Sequence, residues 1–164
     1  MKSADLPAVM AVQASCYPSA LNEPLDVLER RLETCSDTAW VMQESTRDES
    51  TVCAYLFAYR SALGKVTPLG GEFESSRRVD SLYLHDLAVS PRMKGQRLAQ
   101  WLVQHAWASA WAMGLRSSAL VAVQGSLPFW ARLGYARHQA LSPSQAVHLR
   151  SYGDGQYMVR HFTG

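Results

Sequence analysis

The chain has 164 residues, enough for one domain with a sizeable hydrophobic core. Apolar residues make up 48% and charged residues 18%, which excludes an intrinsically disordered chain. A net charge of +2 is too small to make nucleic acid the main partner, and no apolar run approaches the roughly 20 residues of a membrane span.

Cys16, Cys35 and Cys53 show neither disulfide nor metal-ligand spacing. They read as reduced thiols of a cytoplasmic protein. Asp5-Leu6-Pro7 supplies an N-cap residue and an early Pro, which predicts a helix through Leu6, Val9, Met10 and Cys16 that ends at Tyr17-Pro18. A second helix is expected over Pro24–Cys35, with Leu25, Leu28 and Leu32 on one face and Glu29, Arg30 and Glu33 toward water. Thr38–Gln43 and Thr51–Tyr59 alternate as strands around a polar turn at Glu44–Ser50, the pattern of a hairpin. Ser61–Asp80 is irregular and contains Gly64, Pro68, Gly70, Gly71 and Arg77-Arg78. A connection of about 20 residues inside a compact domain is either mobile or functional.

The stretch Leu82–Val103 organises the rest. Leu82–Val89 suits a buried strand interrupted by His85 and Asp86, and Ser90-Pro91 stops it. From Gln96, Leu98, Trp101, Leu102, His105, Ser109 and Ala112 recur at helical spacing. A strand that feeds a glycine-containing loop and then a helix offers free N–H groups and a positive helix end to an anion. Arg92, Lys94 and Arg97 add charge there, so the turn reads as a phosphate-binding turn. Gly114 closes the helix. Ser118–Val123 is a further strand, parallel to the first because a helix joins them. After the turn Gln124-Gly125-Ser126, a short helix through Phe129, Trp130 and Leu133 ends at Gly134. Tyr135–Gln139 and Tyr157–Phe162 are expected to form a closing antiparallel pair, with Ala140–Gln156 between them as a second long loop. This order predicts a single domain over 1–164, an α/β fold with a mixed sheet.

The stretches LHDLAVSPRMKGQRLAQWLV and LVAVQGSLPFWARLGY, with this order of elements, resemble the GNAT superfamily of acetyl-CoA-dependent N-acetyltransferases over nearly the whole chain. The N-terminal helix pair, the long loop before the central strand, and His85 two residues before Leu87 are most similar to the arylalkylamine branch. The resemblance implies a mostly antiparallel sheet with a central parallel strand pair, flanked by about four helices. It implies acetyl-CoA as cosubstrate, with no metal. Leu87, Ala88 and Val89 would run along the pantetheine arm, and the Val89 N–H would donate to the thioester carbonyl. Lys94, Gly95, Gln96, Arg97, Leu98 and Ala99, with Gln100, stand where the family's pyrophosphate pattern Arg/Gln-x-x-Gly-x-Gly/Ala lies. Ser126 and Trp130 are further cofactor-contact candidates. Lys94 keeps the usual charge. Arg97 stands where the pattern has a Gly, whose lack of a Cβ lets backbone approach phosphate. With a helical φ and an outward side chain Arg97 would add a charge-assisted contact; otherwise it crowds the site.

Acetyl transfer needs a neutral amine, a donor for the tetrahedral oxyanion and a proton for the departing thiolate. His85 is the candidate base, since its unperturbed pKa lies near 6.5. Strand alternation puts Tyr83, His85, Leu87 and Val89 on one face. Where the family often carries a Phe-Tyr pair with an acidic Tyr, this chain has Phe129-Trp130, and an indole N–H is no acid. Tyr83 is the candidate replacement, unless the thiolate leaves unassisted. The bland readings are a satisfied buried His85, a packing Tyr83, and an Asp86 on the opposite face paired with an Arg or a helix end. The expected function is N-acetylation of a primary amine, a small-molecule one first, with the nearby aromatics favouring an apolar or aromatic amine. The acceptor would enter between Tyr17–Pro24, Ser61–Asp80 and Ala140–Gln156. A protein or peptide amine, a degenerate acyl-CoA-binding module without turnover, and an interaction scaffold are the alternatives. No nucleic acid or membrane partner is expected, and the protein is expected to be a monomer or homodimer.

Overall fold

A computed structural model describes residues 1–45, 50–73 and 78–163. The two N-terminal helices form as the pattern predicts: α1 is Leu6–Cys16 and α2 is Leu25–Cys35. The Asp5 carboxylate at the start of α1 turns back to the Lys2 N–H, at 2.7 Å, rather than capping the helix. β1 (Ala39–Ser45) and β2 (Ser50–Ser61) pair antiparallel, and β3 (Ser81–Val89) pairs antiparallel with the other edge of β2. Residues 46–49 of the expected turn, and Arg77 of the long connection, lie outside the described residues.

After β3 come α3 (Leu98–Ala112) and β4 (Ser117–Ala122), which lies parallel to β3. α3 ends at Gly114, whose φ of +78° is the left-handed conformation that a helix-terminating glycine takes without steric cost. α4 (Leu127–Arg132), β5 (Ala136–Arg137) and β6 (Gln156–His161) complete the sheet in the order β1-β2-β3-β4-β6-β5. This is a mixed α/β fold, antiparallel except at β3/β4.

One expected loop is not a loop throughout. Within Ala140–Gln156 lies a fifth helix, α5 (Pro143–Arg150). Ser142-Pro143 starts it: the Ser142 hydroxyl accepts from the Gln145 N–H at 3.4 Å, and Pro143 needs no helical donor at the first position. This helix anchors the long connection. Gln145 Oε1 accepts from the Val66 N–H at 2.6 Å, His148 Nδ1 lies 2.9 Å from the Val66 carbonyl, and the Tyr152 hydroxyl donates to the Thr67 carbonyl at 2.7 Å. Val66, Thr67 and Phe73 are buried, so the described part of the connection is packed structure.

The sheet separates two apolar layers. One face packs Val9, Leu28 and Leu32 of α1 and α2 against Tyr55, Phe57 and Tyr83. The other packs Leu102, Val103 and Ala106 of α3 and Trp130 of α4 against Leu56, Leu82 and Leu84. Each fully buried aliphatic side chain in these layers contributes roughly 1.5–3 kcal/mol.

Candidate active site

β3 and β4 stay in register only from Ser81 opposite Ser117 to Leu84 opposite Leu120. His85 comes next and is an extra residue on β3: Ala58 of β2 opposes Leu84, and Phe57 opposes Asp86. Such a bulge bends its strand and moves the side-chain alternation by one. Leu82 and Leu84 therefore share the α3 face with Leu87 and Val89, whereas Tyr83 and Ala88 lie on the α1/α2 face. The expected common face of Tyr83, His85, Leu87 and Val89 is thereby corrected. His85 turns toward Phe73 and Tyr83, with ring centroids at 5.1 and 6.1 Å, and Asp86 turns toward Tyr17 and Tyr55. Both are on the α1/α2 side.

Where the strands part, a cavity of about 310 Å³ opens, lined by Leu84, Leu87, Ala88, Val89, Ala99, Val121, Ser126 and Trp130 among others. The Ser90 N–H donates to the Cys53 carbonyl at 2.8 Å. In an antiparallel ladder that bond makes Val89 and Leu87 the positions whose own N–H and C=O groups point away from β2. They point into the gap that β4 has left. The end of α1 meets two of these carbonyls: the Tyr17 hydroxyl lies 2.8 Å from the Leu87 oxygen, and the Cys16 thiol donates to the Val89 oxygen at 3.2 Å. These two outward acceptors are thus satisfied within the chain, and the outward N–H groups of Leu87 and Val89 face the gap.

Beyond Val89, Ala99 and Phe129 the gap continues into a hollow of about 590 Å³ lined by Lys94, Gly95, Arg97, Leu98 and Arg132. Arg97 is the N-cap of α3 and has φ 58° and ψ 22°. Of the two alternatives, the helical φ is not met: Arg97 adopts the left-handed conformation a glycine would hold freely, at a cost of roughly 1–2 kcal/mol. Its side chain adds a cation to the lining of this hollow. Among the described residues no side chain caps α3, so the N–H groups of its first turn stay open toward this hollow. The Gln96 amide turns back to Met93 Sδ at 3.8 Å, and Gln100 lines neither hollow.

The profile of the Acetyltransferase (GNAT) family matches residues 6–135. The chain belongs to the GNAT acetyltransferase family. No curated protein matches it in sequence. Solved structures with the same fold include the GphF GNAT-like decarboxylase in complex with isobutyryl-CoA, at TM-score 0.74 and 18% identity, covering 98% of this chain and 96% of that one. The NatC complex bound to Gag peptide and CoA aligns at TM-score 0.69 and 14% identity, over 97% and 91%. The ribosomal-protein-S18-alanine N-acetyltransferase from Escherichia coli aligns at TM-score 0.65 and 13% identity, over 100% and 93%. At these identities the likeness is one of fold.

Within this GNAT domain a smaller cavity of about 40 Å³ adjoins the gap, lined by Leu21, Glu23, Leu69, Asp86 and Tyr152. Tyr17, His85, Val121 and Val123 line both cavities and form the wall between them. The His85 side chain is 3% exposed, and its Nε2 is 3.6 Å from the Glu23 carboxylate. Its Nδ1 is buried and has no hydrogen-bond partner among the described residues. Burial, and then the Arg31 charge, lower the His85 pKa from its ordinary 6.5, so the ring is neutral at pH 7. The bland reading of a satisfied buried histidine is not met, since among the described residues only Nε2 has a polar neighbour, the Glu23 carboxylate.

Tyr83 is buried at 1% exposure, its hydroxyl has no partner among the described residues, and it lines neither cavity. Its side chain belongs to the core, and the expectation that it shares a cleft with His85 is not met. Asp86, expected to meet an Arg or a helix end, instead meets two tyrosines: the Tyr17 oxygen is 2.9 Å from Oδ1 and the Tyr55 oxygen 2.7 Å from Oδ2.

Two site residues were missed in the sequence. Arg31 is fully buried, pairs with the Glu23 carboxylate, donates to the Gly71 carbonyl at 2.8 Å and stacks over Phe73 at 4.8 Å. Glu23 is fixed by the Gln13 side chain, which bonds both its N–H and its carbonyl, and it accepts from the Gly70 N–H at 3.0 Å. Arg31 sits three residues after Leu28 and beside Leu32, on the apolar stripe of α2, which was the available signal.

Proposed function

We propose that this protein moves the acetyl group of acetyl-CoA directly onto a primary amine. The observation that carries the reading is the meeting of two cavities at one wall: an open strand gap with outward N–H groups, and a small cavity beside it, divided by Tyr17, His85, Val121 and Val123. In this reading the pantetheine arm lies along Leu87–Val89, and the pyrophosphate lies over Lys94–Ala99 at the start of α3. Cysteamine and thioester groups then reach the wall. The Val89 N–H donates to the carbonyl as it becomes an oxyanion; one such preplaced donor is worth roughly 10²–10³ in rate. The amine sits in the small cavity, and the neutral His85 takes its proton. No acyl-enzyme is needed.

The small cavity measures about 40 Å³ and is walled by Leu21, Leu69, Val121 and Tyr152, which supports a small, apolar or aromatic amine. A protein or peptide amine is the second reading, favoured by two structural neighbours, one bound to a peptide and CoA and the other a ribosomal-protein-S18-alanine N-acetyltransferase.

The test is thiol release from acetyl-CoA in the presence of small aromatic amines and of an alanyl peptide, with the product identified by mass. Amine-dependent release with an acetylated product supports the reading and sorts the two acceptor classes. Binding of acetyl-CoA with no release from any amine would identify an acyl-CoA-binding module instead.

A further inference from the structure

Acetyl transfer from a thioester ends with a thiolate that needs a proton, and Trp130 and Tyr83 cannot supply it. Trp130 has no acidic proton, and Tyr83 is sealed in the core. Tyr17 is the tyrosine whose side chain borders the thioester cavity, and it also borders the acceptor cavity.

The hydrogen atoms around Tyr17 decide its state. Its hydroxyl oxygen is 2.9 Å from Asp86 Oδ1 and 2.8 Å from the Leu87 carbonyl oxygen. The carbonyl only accepts, and Tyr17 has a single hydrogen. With an ionised Asp86, one of these two short oxygen–oxygen contacts would have no hydrogen in it. A carboxylic acid removes the conflict: Asp86 Oδ1–H donates to Tyr17, and Tyr17 donates to Leu87. The Tyr55 hydroxyl donates to Oδ2, at 2.7 Å, and every polar atom of the cluster is satisfied.

We propose that Asp86 carries this proton at neutral pH and that Asp86 and Tyr17 together are the acid that protonates the departing CoA thiolate. The inference rests on the acetyl-transfer reading above. As the carbon–sulfur bond breaks, its electron pair stays on sulfur. The Tyr17 proton passes to that sulfur, and the Asp86 proton passes to the Tyr17 oxygen. The attacking nitrogen has meanwhile lost its proton to His85. The turnover closes when the His85 proton returns to the Asp86 carboxylate, its neighbour on the bulge and at the wall of the small cavity. Nitrogen has then lost one proton and sulfur has gained one.

The pair succeeds where a lone tyrosine would not. A phenol is a weaker acid than a thiol, so Tyr17 alone would transfer its proton uphill. With Asp86 behind it the net donor is a carboxylic acid. The groups facing Asp86 agree with a neutral form: burial and the Glu23 carboxylate push its pKa up, against the Tyr55 and Tyr17 hydroxyls and His85, which pull it down, and the balance is upward. Tyr17 is the catalytic residue here, and Asp86 acts through it.

Infrared difference spectra of the wild type against Asp86→Asn test the proton itself. The account expects a carboxylic-acid C=O band at pH 7 that is missing in the variant; carboxylate bands alone would overturn it. Asn reproduces the hydrogen bonds of the acid, so Asp86→Asn is expected to keep the Tm. With acetyl-CoA and phenethylamine as the acceptor probe, Tyr17→Phe and Asp86→Asn are each expected to lower kcat about 10²-fold and leave the KM for acetyl-CoA unchanged. Wild-type turnover matched by Tyr17→Phe would overturn the relay alone. A wild type that releases no thiol with phenethylamine or an alanyl peptide would overturn the acetyl-transfer reading, and the relay with it.

Discussion

Arg31 is wholly buried and pairs with the Glu23 carboxylate directly beneath His85. The pair links α2 to the segment before it and fixes the floor of the small cavity. Its members cannot be removed singly without leaving a buried charge. Arg31→Ala is expected to destabilise the fold by about 3–5 kcal/mol in denaturant titration, and the double change Arg31→Met with Glu23→Gln by clearly less.

The same pair sets a pH dependence. Burial pushes the Glu23 carboxyl up, but the hydrogen bonds and charges of His85 and Arg31 outweigh it and hold its pKa at about 2, below the ordinary 4.5. A depressed carboxylate stabilises the fold above its unfolded pKa. That contribution is expected to be complete above pH 4.5 and to be lost as the pH falls toward 2. Thermal unfolding across this range should show the loss, and Glu23→Gln should flatten it.

His85 adds a second pH dependence of the same sign. Its lowered pKa means the unfolded chain takes up the proton first as pH falls. Stability is expected to rise up to pH 6.5 from this source and to be level above it. In kinetics, the acidic limb of kcat should lie below 6.5. His85→Gln is expected to remove that limb and to lower kcat by roughly 10²–10⁴-fold.

Much of this was legible in the sequence, and the failures have physical causes. α1, α2, α3 and their stops follow from apolar spacing, early Pro and terminal Gly, and β3–α3–β4 follows from a helix joining two apolar strands. The bulge was missed because alternation was extended through His85-Asp86. Yet the apolar parity changes there, from Leu82 and Leu84 to Leu87 and Val89. α5 was missed although Ser142-Pro143 is a helix start. Glu23, Asp86 and Tyr17 converge only through long-range packing, which no local pattern encodes.

Leu21 lines the small cavity and not the strand gap. Leu21→Trp should therefore fill the acceptor side alone. The KM for the amine is expected to rise at least tenfold while the Kd for acetyl-CoA stays within about twofold, as measured by calorimetry.

Arg97 combines a strained backbone with a useful charge. Arg97→Gly is expected to relieve roughly 1 kcal/mol of strain, visible as an unchanged or higher Tm of the free protein. It is also expected to weaken CoA binding several-fold and to reduce its salt dependence, because the proposed pyrophosphate site loses one cation.

In the proposed function the β3–β4 gap and the Lys94–Ala99 turn hold acetyl-CoA. Thermal unfolding with and without acetyl-CoA tests it most directly. Binding to the folded state adds about 2.7 kcal/mol at a hundred times Kd, so a clear, concentration-dependent rise in Tm is the expected result. An unchanged Tm at millimolar acetyl-CoA would mean that Arg97 has closed the turn, and would contradict the account.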